Sequence, residues 1–388
     1  IDRTAAPEVG DKAAALGEIR SRLGAPVPEG YALTTETYRQ FFGLPFWERI
    51  RDAERAWDPD DLDGLRTISQ ALTALVHAAP LPRVVEVALT ERAVMLPPSA
   101  CGLAVRSSAV GEGGTRTFAG QFQSRIGVPL ADLEEAYRDV IASRFSERAL
   151  SYRLTTGLAE VDTPMAVLVL PTVCARAAGI LYTRDPRDPR SDRLLISSTW
   201  GLGLDMASGL VPSDLFVVSR TIPHRVIESR IVAKHEEATP AREGDVERRP
   251  VARERQERAS LDPQDVDALV RWGLAIEQHM GGPQDVEWAV DRDGKVWILQ
   301  TRPLELIGTR SALPRARVPR EPLVGGGRAI YPGRTSGPAF VVEDPRRLND
   351  TPHGAILVMR RVTPDIVKVF PRLAGVVAEW GNPTGHAA

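Results

Sequence analysis

Cysteine is scarce in this sequence, and long apolar runs are absent. The 388 residues include two cysteines, Cys101 and Cys174, which exclude a disulfide framework and a cysteine-rich metal site. No apolar run approaches the roughly 18 residues that a membrane-spanning helix needs, and no secretory hydrophobic region opens the chain. We therefore expect a protein of the reduced cytoplasmic compartment that has no membrane partner.

An excess of either charge is also missing. The 49 basic and 51 acidic residues leave a net charge of −2, which argues against a nucleic-acid partner but permits a local anion site. Only four of the basic residues are lysines, so each lysine carries more weight than a lone arginine. Lys234 lies outside every motif described below, and its replacement by alanine is expected to leave the activity of the full-length protein intact.

The residue pattern predicts an α+β protein with more than one domain. Residues 11–23 and 262–280 have helical periodicity, and apolar strand-like runs occupy much of 102–219. Residues 236–260 are highly charged and lack apolar periodicity, which favours a solvated loop over a phosphate- or partner-binding arm. Residues 303–327 are rich in proline, glycine and arginine and are typical of an interdomain linker.

The most regular segment is a predicted β-hairpin, QDVEWAVDRDGKVWILQTR. Asp293-Gly294 predicts a two-residue turn, which would place Arg292 opposite Lys295. Counting outward puts Glu287 opposite Gln300, with Arg302 on the same face because side chains alternate along a strand. The other face would take the apolar residues Trp288, Val290, Trp297 and Leu299.

This polar triad has the composition of a nucleotide–metal site. A carboxylate and an amide oxygen can hold Mg²⁺ against phosphates, and an arginine can neutralise charge during phosphoryl transfer. The alternative is a surface ion pair between Glu287 and Arg302, and the hairpin pattern alone does not decide between the two.

Two further segments could bind an anion. Gly10-Asp11-Lys12 stands at a predicted helix start, where free backbone N–H groups and a lysine could meet phosphate; alternatively Asp11 is an ordinary N-cap. The strand Val105–Ala109 carries Arg106 and precedes the glycine-rich loop GEGG. Such a loop can close over a triphosphate, or it can be a simple turn.

Taken together, seven segments resemble the phosphoenolpyruvate synthase and pyruvate phosphate dikinase family, in the family's order. They are GDKAAALGEI, VPEGYALTTETYRQF, AVRSSAVGE, FAGQFQS, ARAAGILYTRDP, WGLG and GGPQDVEWAVDRDGKVWILQTRPL. The resemblance implies an ATP-grasp nucleotide-binding domain over residues 1–304. It also implies a linker over 305–326 and a truncated, swivelling β/β/α phosphohistidine domain over 327–388.

The resemblance also implies roles for individual residues. Lys12 and Arg106 would contact the triphosphate of ATP and take part in catalysis. The remaining nucleotide contacts would come from Gly120 and Ser124 in the closing loop, Glu287 and Gln300 as Mg²⁺ ligands, and Arg302 on phosphate. His386 stands where the family carries the histidine that accepts a phosphoryl group, a task suited to a neutral, nucleophilic imidazole.

The sequence departs from the family pattern at three places. Gly385 precedes the histidine where a larger side chain is usual, Leu170-Pro171 replaces a glutamine on the adenine side, and Leu204 replaces an acid, with Asp205 adjacent to it. These departures indicate a divergent branch. The order of the two domains disfavours the rifampin phosphotransferases and the glucan, water dikinases as relatives.

The resulting functional expectation is an ATP- and Mg²⁺-dependent dikinase that phosphorylates His386 and releases AMP. The acceptor would be a small molecule, pyruvate by family default, bound by a C-terminal acceptor domain that is missing from this sequence. One alternative is an ATP-grasp ligase that forms an acyl phosphate and ADP. Another is a degenerate nucleotide-binding regulatory protein.

Overall fold

A computed structural model describes most of the chain. The described residues are 1–41, 44–56, 61–112, 122–157, 163–186, 188, 190–204, 206, 211–241, 246–306, 334–362 and 364–380. The α-helices are α1 Ala6–Leu23, α2 Thr35–Phe41, α3 Leu44–Ala56, α4 Leu62–Ala78, α5 Arg83–Val87, α6 Leu133–Ala142, α7 Glu147–Thr156, α8 Arg253–Gln256 and α9 Pro263–Met280.

Fifteen strands form four sheets within those residues. They are β1 Tyr31–Leu33, β2 Leu103–Ala109, β3 Ser124–Val128, β4 Met165–Pro171, β5 Ala175–Tyr182, β6 Arg193–Trp200, β7 Asp214–Ser219, β8 Val226–Arg230, β9 Glu236–Pro240, β10 Val246–Pro250, β11 Gln284–Asp291, β12 Val296–Pro303, β13 Ala339–Val342, β14 Ala355–Arg361 and β15 Leu373–Trp380.

The first lobe is a four-stranded antiparallel sheet covered by helices. Its strand order is β1-β4-β2-β3, and helices α2 to α7 surround it. The apolar side chains of α4 and α6 share one core with the sheet, including the buried residues Val76, Val140 and Val167. Burial of such side chains provides the main stabilisation of the lobe.

The second lobe is a six-stranded antiparallel sheet in the order β12-β11-β5-β6-β7-β8. One face packs against α1 and α9, whose buried residues include Ile19 and Leu269, around the indole of Trp288. Helix α1 also contacts β2 and β4 of the first sheet. The chain passes directly from β4 to β5, so residues 172–174 connect the two sheets.

A third, smaller region follows. Strands β13, β14 and β15 pair in parallel around a separate core that includes Leu357 and Val369. Residues 307–326 of the predicted linker lie outside the described residues, as do residues 327–333 and 381–388 of the predicted third domain. The division of the chain into domains therefore stays a prediction.

The two strongest helix predictions are confirmed. Helix α9 begins with a capping box between Asp262 and Asp265 and ends at Gly281, as N-cap and C-cap chemistry predicts. Helix α1 ends at Gly24, also as predicted. It has a break at Gly10, whose φ of 74° is a left-handed conformation that favours glycine.

The loop prediction for residues 236–260 is wrong. Strands β9 and β10 pair antiparallel over Glu236–Pro250, and α8 follows them. Nearly all side chains of this two-stranded ribbon are at least partly exposed, so the segment folds without the apolar periodicity that would reveal it. Strand β8, whose five residues are all exposed, was missed for the same reason.

The two cysteines form a disulfide, which the cysteine count did not predict. Cys101 precedes β2 and Cys174 precedes β5, with 5.5 Å between their Cα atoms.

No single described helix is long and apolar enough to cross a membrane; a bent pair, Asp63–Ala78 and Arg83–Met95, meets that test jointly by length and composition. The cytoplasmic location stays a prediction.

Candidate active site

Arg106 lies at the centre of the cleft between the two sheets. It is on β2 of the first sheet, yet its Nη2 donates to Glu287 Oε2 at 2.7 Å and to Gln300 Oε1 at 3.1 Å on the second. Its Nη1 donates to the backbone carbonyl of Leu299 at 2.7 Å. One guanidinium therefore links the two lobes and donates to both of the side chains predicted to bind metal.

The hairpin presents its polar residues on one face, as predicted. Glu287 pairs with Gln300, and Asp285 pairs with Arg302. Since residues two apart on a strand share a face, the four side chains lie together. The pairing of Glu287 with Gln300 is thus confirmed, and Arg302 lies where the alternation placed it.

The turn of this hairpin differs from the prediction. Asp291 N–H donates to the Lys295 carbonyl at 3.0 Å, so the turn has three residues, 292–294, and Gly294 has a φ of 82°. A bulge at Leu299 then restores the predicted register at Glu287. One extra residue in the turn is compensated by one extra residue in β12.

The bulge also changes which apolar side chains share a face. Val296 and Ile298 join Trp288 and Val290 in the core, whereas Trp297 pairs opposite Ala289 on the polar face. The Trp297 indole N–H donates to Asp291 Oδ2 at 2.8 Å. The prediction that Trp297 and Leu299 share the core face is therefore wrong.

The electrostatics of Glu287 favour its ionised form. Burial alone would raise the pKa of this carboxyl, but the charge and hydrogen bond of Arg106, with Lys12 and Arg302 nearby, hold the pKa below its ordinary value. Glu287 is thus a carboxylate at neutral pH, as a metal ligand must be.

Lys12 is held by a close approach between α1 and β2. A Cβ at Gly10 would lie 1.8 Å from the carbonyl oxygen of Ser108, so only glycine allows this contact. Ser108 Oγ accepts from Ala13 N–H at 3.0 Å and donates to the Val9 carbonyl at 2.7 Å. These bonds fix the first turn after the break, which carries Lys12.

The Lys12 ammonium is almost completely buried. It donates to the Ser107 carbonyl at 2.8 Å and to Glu112 Oε1 at 3.1 Å, and Glu112 Oε2 accepts from the backbone N–H of Ala109 at 3.1 Å. Burial, followed by the charge of Arg106, lowers the pKa of Lys12 despite the opposing effects of Glu112 and Glu287. Sequence reasoning missed Glu112, which lies inside the glycine-rich loop.

Asp285 is a second residue that sequence reasoning missed. Its Oδ2 accepts from Arg302 Nε and Nη2 at 2.8 and 2.6 Å, while Oδ1 is buried with no hydrogen-bond partner among the described residues. Burial raises the pKa of Asp285, and Arg302 only partly offsets it. The period-two alternation that selected Glu287 also selects Asp285, so the signal was available.

Two cavities meet at the Arg106–Glu287–Gln300 cluster. The first, of about 230 Å³, is bordered by Arg106 and Glu287. Its other walls are mainly apolar and include Leu170, Ile180, Leu204, Met206 and Leu299. Predicted site residue Ser124 also lines it, although Ser124 stands in β3 rather than in a loop.

The second cavity, of about 240 Å³, has more charged side chains on its wall than the first. The charged and amide side chains on its wall are Arg3, Asp11, Lys12, Glu112, Gln300 and Arg302. The predicted phosphate-binding residues Lys12 and Arg302 are thus separated from the apolar cavity by the Arg106 cluster. Gly120, Asp205 and His386 lie outside the described residues.

The donor set fits a magnesium ion, although it forms no protein cage. Within the described part of the chain there is no group of three or more histidine, cysteine or acidic residues that could hold a metal by itself. Glu287 Oε2 and Gln300 Oε1 nevertheless converge on one cationic nitrogen of Arg106. Mg²⁺ commonly takes one or two protein oxygens and completes its shell with phosphates and water.

Lys234 has a structural position. Its ammonium donates to Asp214 Oδ1 at 2.5 Å, and both side chains are fully buried. Asp214 also accepts from Ser260 N–H and from Val232 N–H. The structure therefore argues against the use of a Lys234 variant as a neutral control, because removing one partner of a buried pair is strongly destabilising.

Comparison with known proteins decides the family. Residues 6–318 match the model described as pyruvate phosphate dikinase, AMP/ATP-binding domain. The chain belongs to this family. Residues 351–388 match the mobile domain of PEP-utilising enzymes, which includes the position of His386. The resemblance drawn from the seven segments is therefore confirmed, and the two α+β lobes are those of an ATP-grasp domain.

Individual relatives agree. The phosphoenolpyruvate synthase of Pseudomonas aeruginosa is 31% identical over 98% of this chain and 51% of its own length. That of Pyrococcus furiosus is 27% identical over 100% and 53%, so the chain spans about half of these relatives. A rifampicin phosphotransferase from Streptomyces is 35% identical over 78% of this chain and 35% of its own length. The expectation that disfavoured the rifampin phosphotransferases as relatives is therefore wrong.

The solved structure of a D-alanine-D-alanine ligase from Coxiella burnetii aligns with 78% of this chain and 48% of the ligase chain, at 9% identity and a TM-score of 0.30. That score is too low to carry an argument.

Proposed function

We propose that this chain is the ATP-using part of a phosphoenolpyruvate synthase-like dikinase. It would bind Mg-ATP in the cleft and release AMP after two phosphoryl groups leave ATP: one would go to His386, and the other would go to water and leave as inorganic phosphate. The observation that carries the proposal is the convergence of Glu287 and Gln300 on Arg106 between an apolar cavity and a cationic one.

The two cavities suit the two ends of a nucleotide. The first has aliphatic and thioether walls appropriate to a flat purine ring. The second contains Lys12 and Arg302, whose charges would hold the polyphosphate. Leu170 and Leu204 replace the polar residues usual in the family, so purine recognition would depend more on apolar contact here.

Arg106 would act as the connection between these ends. Its guanidinium now neutralises Glu287, and a triphosphate passing between the cavities would offer it stronger anionic partners. Once released, Glu287 and Gln300 would hold Mg²⁺, which neutralises phosphate charge when it is bound. Lys12 would gain a second anionic partner beside Glu112 and be held in its charged form.

His386 would receive the phosphoryl group, since it falls within the part of the chain that matches the mobile domain. Its neutral imidazole can attack phosphorus and later release the group to an acceptor.

Pyruvate is the proposed acceptor because the relatives that match nearly all of this chain are named phosphoenolpyruvate synthases. The rifampicin phosphotransferase is similar over a smaller share. The acceptor domain would lie in a longer form of the chain or in a partner, with the reaction in the cytoplasm.

Product analysis tests this proposal. The chain is incubated with Mg²⁺ and ATP labelled at the β and γ positions in separate reactions, and nucleotides and acid-labile protein label are quantified. AMP together with label that is lost in His386→Ala supports the dikinase. ADP without protein label supports the ligase alternative. A folded protein that does not bind Mg-ATP supports the degenerate regulatory alternative.

A further inference from the structure

Strand β8 forms the outer edge of the six-stranded sheet. It pairs with β7 on one side, and no other described strand pairs with it on the opposite side. An outer strand presents a row of backbone N–H and C=O groups that can pair with another strand. Soluble proteins usually protect such an edge with charged residues or a bulge. Strand β8 has both, so what calls for a partner is the apolar surface that it leaves exposed.

Apolar side chains are exposed along this edge. Val226 is 48% exposed, Ile227 is 53% exposed, and Ile231, just after the strand, is 37% exposed. Three β-branched apolar residues in one short exposed segment are more than a lone surface hydrophobe, which would need no explanation.

The sequence of the edge is symmetric. Residues 226–232 read Val-Ile-Glu-Ser-Arg-Ile-Val, so the segment reads the same in both directions about Ser229 except that Glu228 is exchanged for Arg230. The regular register with β7 covers Glu228 to Arg230. A bulge displaces Ile227, so the symmetric centre lies in the regular part of the strand.

We propose that two copies of this chain associate through β8 in an antiparallel, two-fold pairing centred on Ser229. Ile227 of each copy would face Ile231 of the other, and Val226 would face Val232. Glu228 would face Arg230 twice, once on each side of the axis. Cross-strand apolar and opposite-charge pairs of this kind each stabilise a sheet by about 0.2–1 kcal/mol.

Competing arrangements are disfavoured by the same charges. A two-fold axis through Glu228 would place the two glutamates directly opposite each other and Val226 opposite Arg230. An in-register parallel pairing would oppose glutamate to glutamate and arginine to arginine. Like charges directly opposite are destabilising, so the segment selects one direction and one register.

Charge reversal tests this dimer. Sedimentation velocity of the 388-residue chain over a range of concentrations should show a monomer–dimer equilibrium. Glu228→Arg alone or Arg230→Glu alone should raise the dimer dissociation constant at least tenfold, because each opposes like charges twice. The double variant, Glu228→Arg with Arg230→Glu, should recover the original constant to within about threefold.

A mixture gives the sharpest discrimination. The two single variants, each monomeric alone, should form a heterodimer when combined, since every opposed pair is then glutamate with arginine. Glu91→Arg, an equal charge change at another exposed position, should leave the equilibrium unchanged, and melting temperatures verify folding. A chain that is monomeric throughout, a dimer insensitive to the single reversals, or a folded double variant that stays monomeric would overturn the proposal.

Discussion

Two ion pairs of this chain, one fully buried and one half-buried, have opposite surroundings. Asp214 accepts from Lys234, Val232 and Ser260 deep inside the second lobe, and all of these donors belong to the protein interior. Glu287 and Arg106 instead border a cavity, and the Nε of Arg106 has no hydrogen-bond partner among the described residues.

The difference separates a structural pair from one that can be exchanged. A pair whose acceptors are all satisfied within a solid core gains nothing from a ligand, and removing either member leaves an uncompensated charge. A pair at a cavity wall can trade one partner for a charged ligand without leaving a charge unpaired. A carboxylate with a shifted pKa beside a cavity, such as Glu287, is therefore a candidate for function. Asp214 lines neither of the two cavities described above.

The largest expected effect is on folding, at the structural pair. Lys234→Ala should lower the free energy of unfolding by about 3–5 kcal/mol, because Asp214 is left buried and unpaired. Urea denaturation measures this change. Lys295→Ala, the same replacement on the exposed hairpin turn, should cost less than about 1 kcal/mol, and equal costs for the two variants would contradict the assignment.

On the polar face of the hairpin, beside the exchangeable pair, the main effect should be on catalysis. Arg302→Ala should reduce label transfer from ATP by about 10²–10³-fold, the usual loss when a group that stabilises developing charge is removed. Without Arg302, the Asp285 carboxyl can take up a proton, which its raised pKa already favours. The variant is therefore expected to fold. Arg292→Ala, on the exposed turn of the same hairpin, should retain full transfer; similar losses in both variants would refute the site.

The connection between the lobes should respond to redox conditions. The Cys101–Cys174 bond closes a loop over a sequence separation of 73 residues, and removing such a bond typically costs about 2–4 kcal/mol. Thermal unfolding with and without reductant should therefore differ for the native chain. The double variant, Cys101→Ser with Cys174→Ser, should unfold at the temperature of the reduced native chain, with or without reductant. A native chain whose unfolding temperature does not change with reductant would contradict a stabilising role for the bond.

The smallest expected effect is a pH dependence of nucleotide affinity. Lys12 must be protonated to attract phosphate, and burial lowers its pKa below the ordinary 10.5. The affinity for Mg-ATP should therefore be full below that lowered pKa and decline as pH rises through it, beginning before pH 10.5. Lys12→Gln should bind more weakly with a flatter profile, and an unchanged alkaline decline in this variant would assign it to another group.

Much of the site was accessible from sequence because it depends on local rules. Strand alternation placed Glu287, Gln300 and Arg302 on one face, and the predicted helix start marked Lys12 as a candidate phosphate contact. Their meeting with Arg106 is a long-range contact, which the family resemblance supplied and spacing alone did not. Their roles in binding and catalysis remain the proposal made above.

The features that were missed have physical causes. The hairpin turn is longer than predicted, and its offset is concealed by the bulge at Leu299, so a correct pairing arose from an incorrect turn. Glu112 is invisible to periodicity because it lies in a loop and is selected only by the buried Lys12. Ala238 is the one buried residue of the β9–β10 ribbon, so no apolar pattern marks it.

A calorimetric titration of Mg-ATP tests the central claim most directly. The native chain should bind ATP more tightly with Mg²⁺ than with excess EDTA, because Glu287 and Gln300 then hold the ion against the phosphates. Glu287→Gln, which keeps the side-chain shape, should lose most of that magnesium-dependent gain while it still binds ATP through Lys12 and Arg302. Equal magnesium dependence in the native chain and the folded variant would contradict the account.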